Sequence, residues 1–268
     1  MKTSILESIK SLPPLSKTIM DINKVCADEE AGVMDLAKVI EHDPMIVANL
    51  LKAANSPLYG FSKEIHNVSQ AVSLFGMGMT RSIALGNSVR KLLNVDMQPY
   101  GISSDEFADI SSKQSALMMA WYKQVNKEKA DKLFLASFLQ ETGKILIASD
   151  VIQEDEAVSF ASEIEMSNNL AAVEKSFAGV TSSEVTAKIF EHWKFDNDFI
   201  EIIKHADAPS QAPKELKEYS VALHIVKTIV PINHPFSEVS INFGLKKAHK
   251  VGYDVDKLKS AIEQVNKG

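Results

Sequence analysis

Three helix-breaking signals follow one another between residues 39 and 93, and they constrain the fold of this chain more than any other feature. The pair Asp43 and Pro44 predicts a helix start, because Asp43 can accept the unpaired amide protons of a first turn and Pro44 suits the first helical position. The run Asn-Ser-Pro at 55–57 predicts a helix end, with Asn55 in the left-handed conformation that Asn tolerates. Gly76 then predicts a break between two further helices.

Apolar residues recur at helical spacing through almost the whole chain, which predicts an all-α fold. Capping-box patterns start at Asn67, Ser103 and Thr181 and mark helix beginnings independently of that spacing. Two β-prone runs, 144–147 and 225–226, are short and embedded in helical segments, so we interpret them as buried helix. The predicted helices cover roughly residues 3–10, 15–26, 33–41, 44–55, 68–75, 78–93, 104–126, 129–148, 154–167, 170–178, 182–193, 197–207, 214–230, 238–250 and 255–266.

Composition favours a soluble globular protein. The 268 residues are 45% hydrophobic and 24% charged, enough to bury a sizeable core in one large domain or two modest ones. No apolar stretch has the length of a signal-peptide core or a membrane span, so we expect a cytoplasmic protein that does not contact membranes. Cys26 is the single cysteine, which excludes an internal disulfide, and its apolar neighbourhood favours a buried thiol over a reactive one.

The charge balance argues against a nucleic-acid partner. The net charge is −6 and the pI about 5.7, with 29 basic residues scattered among 35 acidic ones. A protein that binds DNA or RNA nonspecifically needs a basic face to displace counterions. We therefore expect no nucleic acid among the partners of this chain.

One segment divides the chain. Residues 94–103 collect proline, glycine and turn-forming side chains between two long periodic stretches. This predicts a boundary near residue 100, between a first part of residues 1–100 and a second part of residues 101–268. No internal repeat or low-complexity tract interrupts either part.

Taken in order, these motifs resemble those of the HD-related output domain, or HDOD, family of bacterial signalling proteins. Leu12-Pro13-Pro14-Leu15 comes first and Ala71-Val72-x-Leu74-x-Gly76 comes last. The signature positions between and within these runs are Asp43, Pro44, Asn55, Ser56 and Gly76. The resemblance extends over about residues 12–265, and it implies an N-terminal helical bundle packed on an HD-like helical core as one continuous unit.

The resemblance also raises the question of phosphoester hydrolysis, because HD-superfamily enzymes hold metals with His and Asp residues. Gln140-Glu141 stands where those enzymes place the His-Asp pair, and Ile110-Ser111 stands near the position of the first His. Ser182 occupies a position that often carries His, and Lys227 occupies that of the last Asp. His205 keeps one residue of a frequent His-His pair. The resemblance thus implies that the metal ligands are lost, and we expect no catalytic residue, no metal and no cofactor.

Other catalytic motifs are absent from the sequence. There is no Gly-x-Ser-x-Gly, no phosphate-binding loop and no dinucleotide fingerprint around Gly76. The adjacent pair His42-Asp43 precedes Pro44 at a helix start, where capping explains the aspartate. The remaining histidines fall singly, without the spacing of metal ligands.

The polar trio Gln140-Glu141-Thr142 lies in an otherwise apolar segment, which we predict to be the interior of a helix. Buried polar side chains need partners or a cavity, since leaving one unpaired costs about 1–3 kcal/mol. One interpretation is a vestigial pocket lined by Gln140, Glu141, Ser182, His205 and Lys227. The other, which we favour slightly, is that the trio caps or braces a neighbouring helix.

From these observations we expect a non-catalytic regulatory protein that acts by binding. Because the resemblance accounts for nearly the whole chain, we expect no attached receiver, diguanylate cyclase or phosphodiesterase module and a partner on another polypeptide, namely another signalling protein. Two alternatives stay open. A residual metal-dependent phosphohydrolase would need Glu141 and His205 to converge on a metal, and a metal-free nucleotide-binding module would use Lys227 to attract a small anionic ligand.

Overall fold

The structure is a computed structural model that describes residues 1–61, 63–93 and 96–266, with the side chain of Arg90 outside the description. Helices are the only regular elements in these ranges, so the all-α prediction is confirmed. The helices are α1 Thr3–Lys10, α2 Lys17–Ala27, α3 Val33–Glu41, α4 Pro44–Ala54, α5 Val68–Leu93, α6 Ser104–Tyr122, α7 Lys127–Leu139, α8 Gly143–Gln153, α9 Ala157–Met166, α10 Leu170–Ala178, α11 Ser182–His192, α12 Asn197–Lys204, α13 Lys217–Ile229, α14 Glu238–Lys250 and α15 Val255–Asn266. Short 3-10 helices cover Pro57–Tyr59, Gln98–Tyr100 and Pro209–Gln211.

The described chain forms two compact units. Residues 13–92 make up one, and Met1–Leu12 together with Leu93–Asn266 make up the other. The sequence-based division into residues 1–100 and 101–268 is not tested by this grouping and stays a prediction. Of the linker predicted at 94–103, residues 94 and 95 lie outside the described residues, and the rest contains the 3-10 helix Gln98–Tyr100 followed by Gly101 with a φ of 73°. None of the helices in the described ranges is both long and apolar enough to cross a membrane.

In the unit of residues 13–92 the local signals act largely as predicted. Asp43 accepts hydrogen bonds from the amides of Met45 and Ile46, at 3.0 and 3.2 Å, and Pro44 opens α4. Gly76 has a φ of 76° and breaks α5, which otherwise continues to Leu93. These contacts explain Asp43, Pro44 and Gly76 by backbone geometry.

The prediction of a left-handed backbone at Asn55 is wrong. Its φ of −93° is not left-handed. The left-handed residue is Gly60, after the 3-10 helix whose first turn is capped by Ser56. The Asn55 side chain binds both the amide and the carbonyl of Ile65, at 2.8 and 2.9 Å, and so ties the end of α4 to the start of the next segment.

The capping boxes at Ser103 and Thr181 form in full. Of the third pattern, one of the two hydrogen bonds forms as predicted. The Asn67 side chain accepts from the Gln70 amide, but the Gln70 side chain accepts from the amide of His66 and not from that of Asn67. The β-prone runs 144–147 and 225–226 lie in α8 and α13 and are buried.

In the second unit, α8 contacts several helices. It packs against α1, α9, α10 and α11, and its apolar residues Ile145, Ile147 and Val151 are buried. The N-terminal helix α1 is held there by charge, since Ser4 donates a hydrogen bond to Asp150 and the Lys2 ammonium lies 3.2 Å from the same carboxylate. Residues 1–12 therefore help to fix the helix that carries the site described below.

Gly143, the first residue of α8, permits a close approach between α8 and α11. Its amide donates to Thr186 Oγ1 at 2.8 Å. A β-carbon here would lie 2.2 Å from the carbonyl oxygen of Ser182 and 2.7 Å from the Thr186 nitrogen, both backbone atoms of α11 that cannot rotate away. Only glycine lets α8 and α11 meet at this point.

We predict that Gly143→Ala lowers the free energy of unfolding by about 3 kcal/mol, because the added methyl forces the two backbones apart. Urea denaturation measures the change. Gly32→Ala is the matched control, since the nearest atom to a β-carbon there is an Asp35 oxygen at 3.9 Å. Equal losses in the two variants would contradict the close-packing argument.

Candidate functional site

The polar trio does not lie inside a helix, which corrects the sequence prediction of one helix over 129–148. Residues 140–142 form a turn between α7 and α8. The Thr142 hydroxyl and amide both donate to the Leu139 carbonyl, at 2.6 and 3.0 Å, and the Lys144 amide donates to the Glu141 carbonyl at 3.0 Å. These three-residue bonds replace the four-residue bonds of an α-helix, so the chain turns while Gln140, Glu141 and Thr142 stay buried.

Gln140 and Glu141 brace neighbouring helices through Gln114 of α6. The Gln140 amide donates to Gln114 Oε1 at 2.8 Å. The Gln114 amide in turn donates to Glu141 Oε1 at 3.0 Å and to the carbonyl of Val230, at the end of α13, at 2.9 Å. Gln114 is fully buried, so this one side chain joins α6, the 140–142 turn and α13.

Five charged side chains meet behind this turn, and we call them the carboxylate–lysine cluster. They are Glu141, Lys144, Glu174, Asp207 and Lys227. The Lys227 ammonium lies 2.8 Å from Asp207 and 3.6 Å from Glu141. The Lys144 ammonium lies 3.4 Å from Glu141 and binds Glu174 closely. Each lysine thus bridges two carboxylates, and Glu141 is shared by both.

Glu174 is fixed from three sides. It is fully buried on α10, where Tyr100 donates its hydroxyl proton at 3.1 Å and the Ser182 amide donates at 2.6 Å. Lys144 supplies the third contact. Burial, and then the charge of Glu174, raise the pKa of Tyr100 well above its ordinary value, so this hydroxyl keeps its proton and acts as a donor.

Lys227 and Asp207 are both charged. Burial lowers the pKa of Lys227, but the negative charges of Asp207 and Glu141 outweigh burial and raise that pKa. Burial raises the pKa of Asp207, but Lys227 reverses the effect and holds that pKa well below its usual value. The Lys227 ammonium also donates to the hydroxyls of Ser182 and Ser183, at 3.3 and 3.1 Å.

Beside the cluster lies a cavity of about 440 Å³. Its charged and titratable walls include Glu141, Asp207, His224, Lys227 and Lys247, and the start of α10 and the segment between α13 and α14 complete it. The size falls in the range of small-molecule sites, roughly 300–1,000 Å³. Asp207 Oδ2 and Glu141 Oε2 are buried and have no hydrogen-bond partner among the described residues.

His224 and Lys247 form a second polar group on the wall of this cavity. The Lys247 ammonium, which can only donate, lies 2.8 Å from His224 Nε2 and 3.0 Å from Thr228 Oγ1. His224 Nε2 is therefore the acceptor, and Nδ1 carries the proton that binds the Ala206 carbonyl at 2.8 Å. Burial and then the charge of Lys247 lower the pKa of His224 to about 4, so the imidazole is neutral at pH 7.

The structure brings together four of the five residues proposed for the pocket. Gln140, Glu141, Ser182 and Lys227 meet, although only Glu141 and Lys227 line the cavity itself. His205 lies apart from them at the end of α12, with Nε2 3.2 Å from Glu201 of the same helix. Ser111, near the predicted position of the first His, bonds to the Phe107 carbonyl one turn back.

Sequence reasoning missed six members of the site: Gln114, Lys144, Glu174, Asp207, His224 and Lys247. One signal was available, because a charged residue inside an apolar helix needs a buried partner. Lys144 in GKILIA and Glu174 in LAAVEKSFA both fit that description. Which charges pair could not be read from the chain, since Lys144 and Glu174 are 30 residues apart.

A divalent cation of the kind that HD-superfamily enzymes use does not fit these residues. The Lys227 ammonium lies beside both Asp207 and Glu141, so a metal ion bound by these two carboxylates would lie close to that positive charge. Two positive charges 4 Å apart repel by about 4 kcal/mol per unit charge at an effective dielectric constant near 20. Among residues 1–61, 63–93 and 96–266, no group of three or more His, Cys, Asp or Glu side chains is arranged to hold a metal ion.

Comparisons with known proteins agree with this fold. The HDOD domain family model matches residues 12–209. An uncharacterized protein of Treponema pallidum (strain Nichols) is 21% identical over 229 residues, 81% of this chain but 42% of that protein. The chain thus spans less than half the length of that relative.

Solved structures extend the likeness over the whole chain. A virulence factor of Campylobacter jejuni is 26% identical with a TM-score of 0.59, over 98% of this chain and 95% of the other. A proposed phosphohydrolase of Shewanella amazonensis SB2B is 20% identical with a TM-score of 0.74, over 99% and 94%. A proposed signal-transduction protein of Marinobacter aquaeolei VT8 is 20% identical with a TM-score of 0.72, over 100% of this chain and 59% of the other.

We predict that Lys227→Met destabilises the protein by about 3–5 kcal/mol, because it leaves Asp207 and Glu141 as buried charges without their shared partner. Adding Asp207→Asn should restore part of the loss, since it removes one uncompensated charge. Chemical denaturation at pH 7 gives both values. Lys217→Met, at an exposed lysine of the same helix, is the control and should change little. A double variant whose loss equals the sum of the single losses would show that the two residues are not coupled.

We predict that His224 makes the protein sensitive to mild acid. Its pKa is about 4 in the fold and about 6.5 when unfolded, so the unfolded chain binds the proton first as the pH falls. The stability contribution is complete above pH 6.5 and is lost between pH 6.5 and 4, amounting to about 2–3 kcal/mol. Urea denaturation from pH 7 to pH 4.5 measures it.

His224→Gln should flatten that pH dependence, because glutamine still offers an oxygen to Lys247 and does not titrate. His249→Gln, on the exposed side of α14, should keep the wild-type slope. Identical slopes for wild type and His224→Gln would refute the role of His224.

Proposed function

This chain belongs to the HDOD family, and from that premise we propose that it is a non-catalytic regulatory protein of bacterial signalling, which acts through binding. The observation that carries the proposal is the position of the Lys227 ammonium. It bridges Asp207 and Glu141 at 2.8 and 3.6 Å, as an internal cation supplied by the chain itself. A cluster whose negative charges are already bridged by lysines has little capacity for a catalytic metal.

The remaining polar contacts support binding over catalysis. The Gln114 side-chain amide donates a hydrogen bond to Glu141 Oε1. The Ser182 backbone amide and the Tyr100 hydroxyl donate to the Glu174 carboxylate. Lys227 holds the pKa of Asp207 well below its usual value, so this carboxylate is a weak general base. These side chains hold helices together and leave one cavity open at their edge.

The residual phosphohydrolase is the weaker alternative. It needs Glu141 and His205 on one metal, whereas His205 is paired with Glu201 and does not line the cavity. The phosphohydrolase and signal-transduction descriptions of the Shewanella and Marinobacter proteins belong to those proteins, and at 20% identity they support a common fold.

A metal-free ligand-binding module is the second candidate, and the cavity beside Lys227 and Lys247 favours it. The two candidates are compatible, because a bound ligand could control how the protein engages its partner. We propose that this partner is another signalling protein in the cytoplasm.

The proposal predicts that the purified protein binds no catalytic metal and hydrolyses no phosphodiester. Elemental analysis for Mn, Fe, Ni and Zn is combined with thermal melts in each metal and with a bis(p-nitrophenyl) phosphate assay. A metal at 100 times its dissociation constant would stabilise the protein by about 2.7 kcal/mol, which a melt detects. Stoichiometric metal together with hydrolysis would overturn the proposal.

One variant tests whether the Lys227 ammonium is what excludes a metal ion from the cluster. Lys227→Asp removes the internal cation and adds a carboxylate beside Asp207 and Glu141, so it should gain stability on adding Mn²⁺. The matched control Lys217→Asp should gain none. If Lys227→Asp also fails to respond to Mn²⁺ while remaining folded by circular dichroism, Lys227 is not what excludes the metal.

A further inference from the structure

The charges around the cavity are balanced in number and come from different elements of the fold. The carboxylate–lysine cluster has three carboxylates and two ammonium groups, an excess of one negative charge. Lys247 carries one positive charge on another part of the cavity wall, and it forms no ion pair within 4 Å among the described residues. A ligand that matches this cavity is neutral overall and carries one charge of each sign.

The negative side of the cavity is the Asp207 carboxylate. The Asp207 side chain lines the cavity and is 10% exposed, and its Oδ1 lies 2.8 Å from the Lys227 ammonium. The cluster to which it belongs keeps an excess of one negative charge. An ammonium group on a ligand that contacts Asp207 would neutralise that excess.

The positive side presents an unused donor. An ammonium group has three N–H bonds, and the described partners of Lys247, namely His224 and Thr228, accept two of them. Both partners are neutral at pH 7, so the charge of Lys247 is not compensated by contact. The first turn of α10, at Leu170 and Ala171, lines the same cavity, and a helix N-terminus favours a negative group.

We propose that this cavity binds a small zwitterion, an α-amino acid or a close relative, with the ligand ammonium on Asp207 and the ligand carboxylate on Lys247. The inference rests on the proposed function, because it requires a cavity that binds without catalysis. Leu170, Pro231 and Phe243 form an apolar part of the wall and receive the side chain of the ligand. An aliphatic or aromatic amino acid therefore fits best.

Ligands with one kind of charge fit less well. A simple anion would pair with Lys247 but would add a second negative charge to the excess that the cluster already carries on the Asp207 side. A divalent cation would pair with Asp207 but meet the ammonium groups of Lys227 and Lys247. The zwitterion satisfies both ends of the cavity.

The test uses thermal melts of the full chain with each standard L-amino acid, and with inorganic phosphate and Mn²⁺ as single-charge probes. We expect at least one amino acid to raise the melting temperature in a saturable way. Its deaminated acid and its decarboxylated amine should each bind at least about tenfold more weakly, since each lacks one charge-assisted hydrogen bond. No saturable shift with any amino acid, or equal binding of the deaminated acid, would overturn the proposal.

A matched pair of variants locates the ligand. Lys247→Met should weaken binding of that amino acid by about tenfold or more, whereas Lys246→Met, at the exposed neighbour on α14, should leave it unchanged. Circular dichroism confirms that each variant is folded. Binding unaffected by Lys247→Met would remove the cavity as the site. Loss of amino-acid binding alone would leave the proposed function standing, because metal binding and hydrolysis are measured separately.

Discussion

The buried pairing of Lys227 with Asp207 and Glu141 is the interaction on which the rest of the site depends. Burying a charge is costly unless a partner and further hydrogen bonds compensate it. Here the three charges come from the 140–142 turn, from the segment after α12 and from α13, so those elements must be in place together before any charge is satisfied. The pairing therefore specifies how these helices meet more than it adds to net stability.

The same pairing determines what the cavity beside it can accept. Lys227 supplies a positive charge that is covalently part of the chain and cannot dissociate, so Asp207 and Glu141 always have a counter-charge beside them. What remains variable is the edge of the cluster, where the side chains of Asp207 and Lys247 line the cavity. A fixed ionic core with a polar, partly unsatisfied edge is an arrangement suited to recognition.

Sequence predicted the features whose causes are local. The caps at Asp43, Ser103 and Thr181 act within three residues, and Gly76 breaks α5 by its own backbone conformation. The turn at residues 140–142 escaped prediction because its residues are acceptable helix formers, and at Thr142 the backbone keeps near-helical angles of −54° and −37°. The hydrogen-bond pattern changes there, and Gly143 directly after the turn lies against the backbone of α11.

The composition of the site escaped prediction for a different reason. His205 and Asp207 are two residues apart, yet one pairs with Glu201 on its own helix and the other with Lys227 on α13. Spacing along the chain does not distinguish His205 from Asp207. Because α12 ends at Lys204, the side chains of the residues after it can point in different directions. The outcome is electrostatic, because the Lys227 ammonium pairs with a second carboxylate besides Glu141. That carboxylate is Asp207, in the segment after α12. A sequence argument that searches for histidines selects His205 and passes over Asp207, whose partner Lys227 lies on another helix.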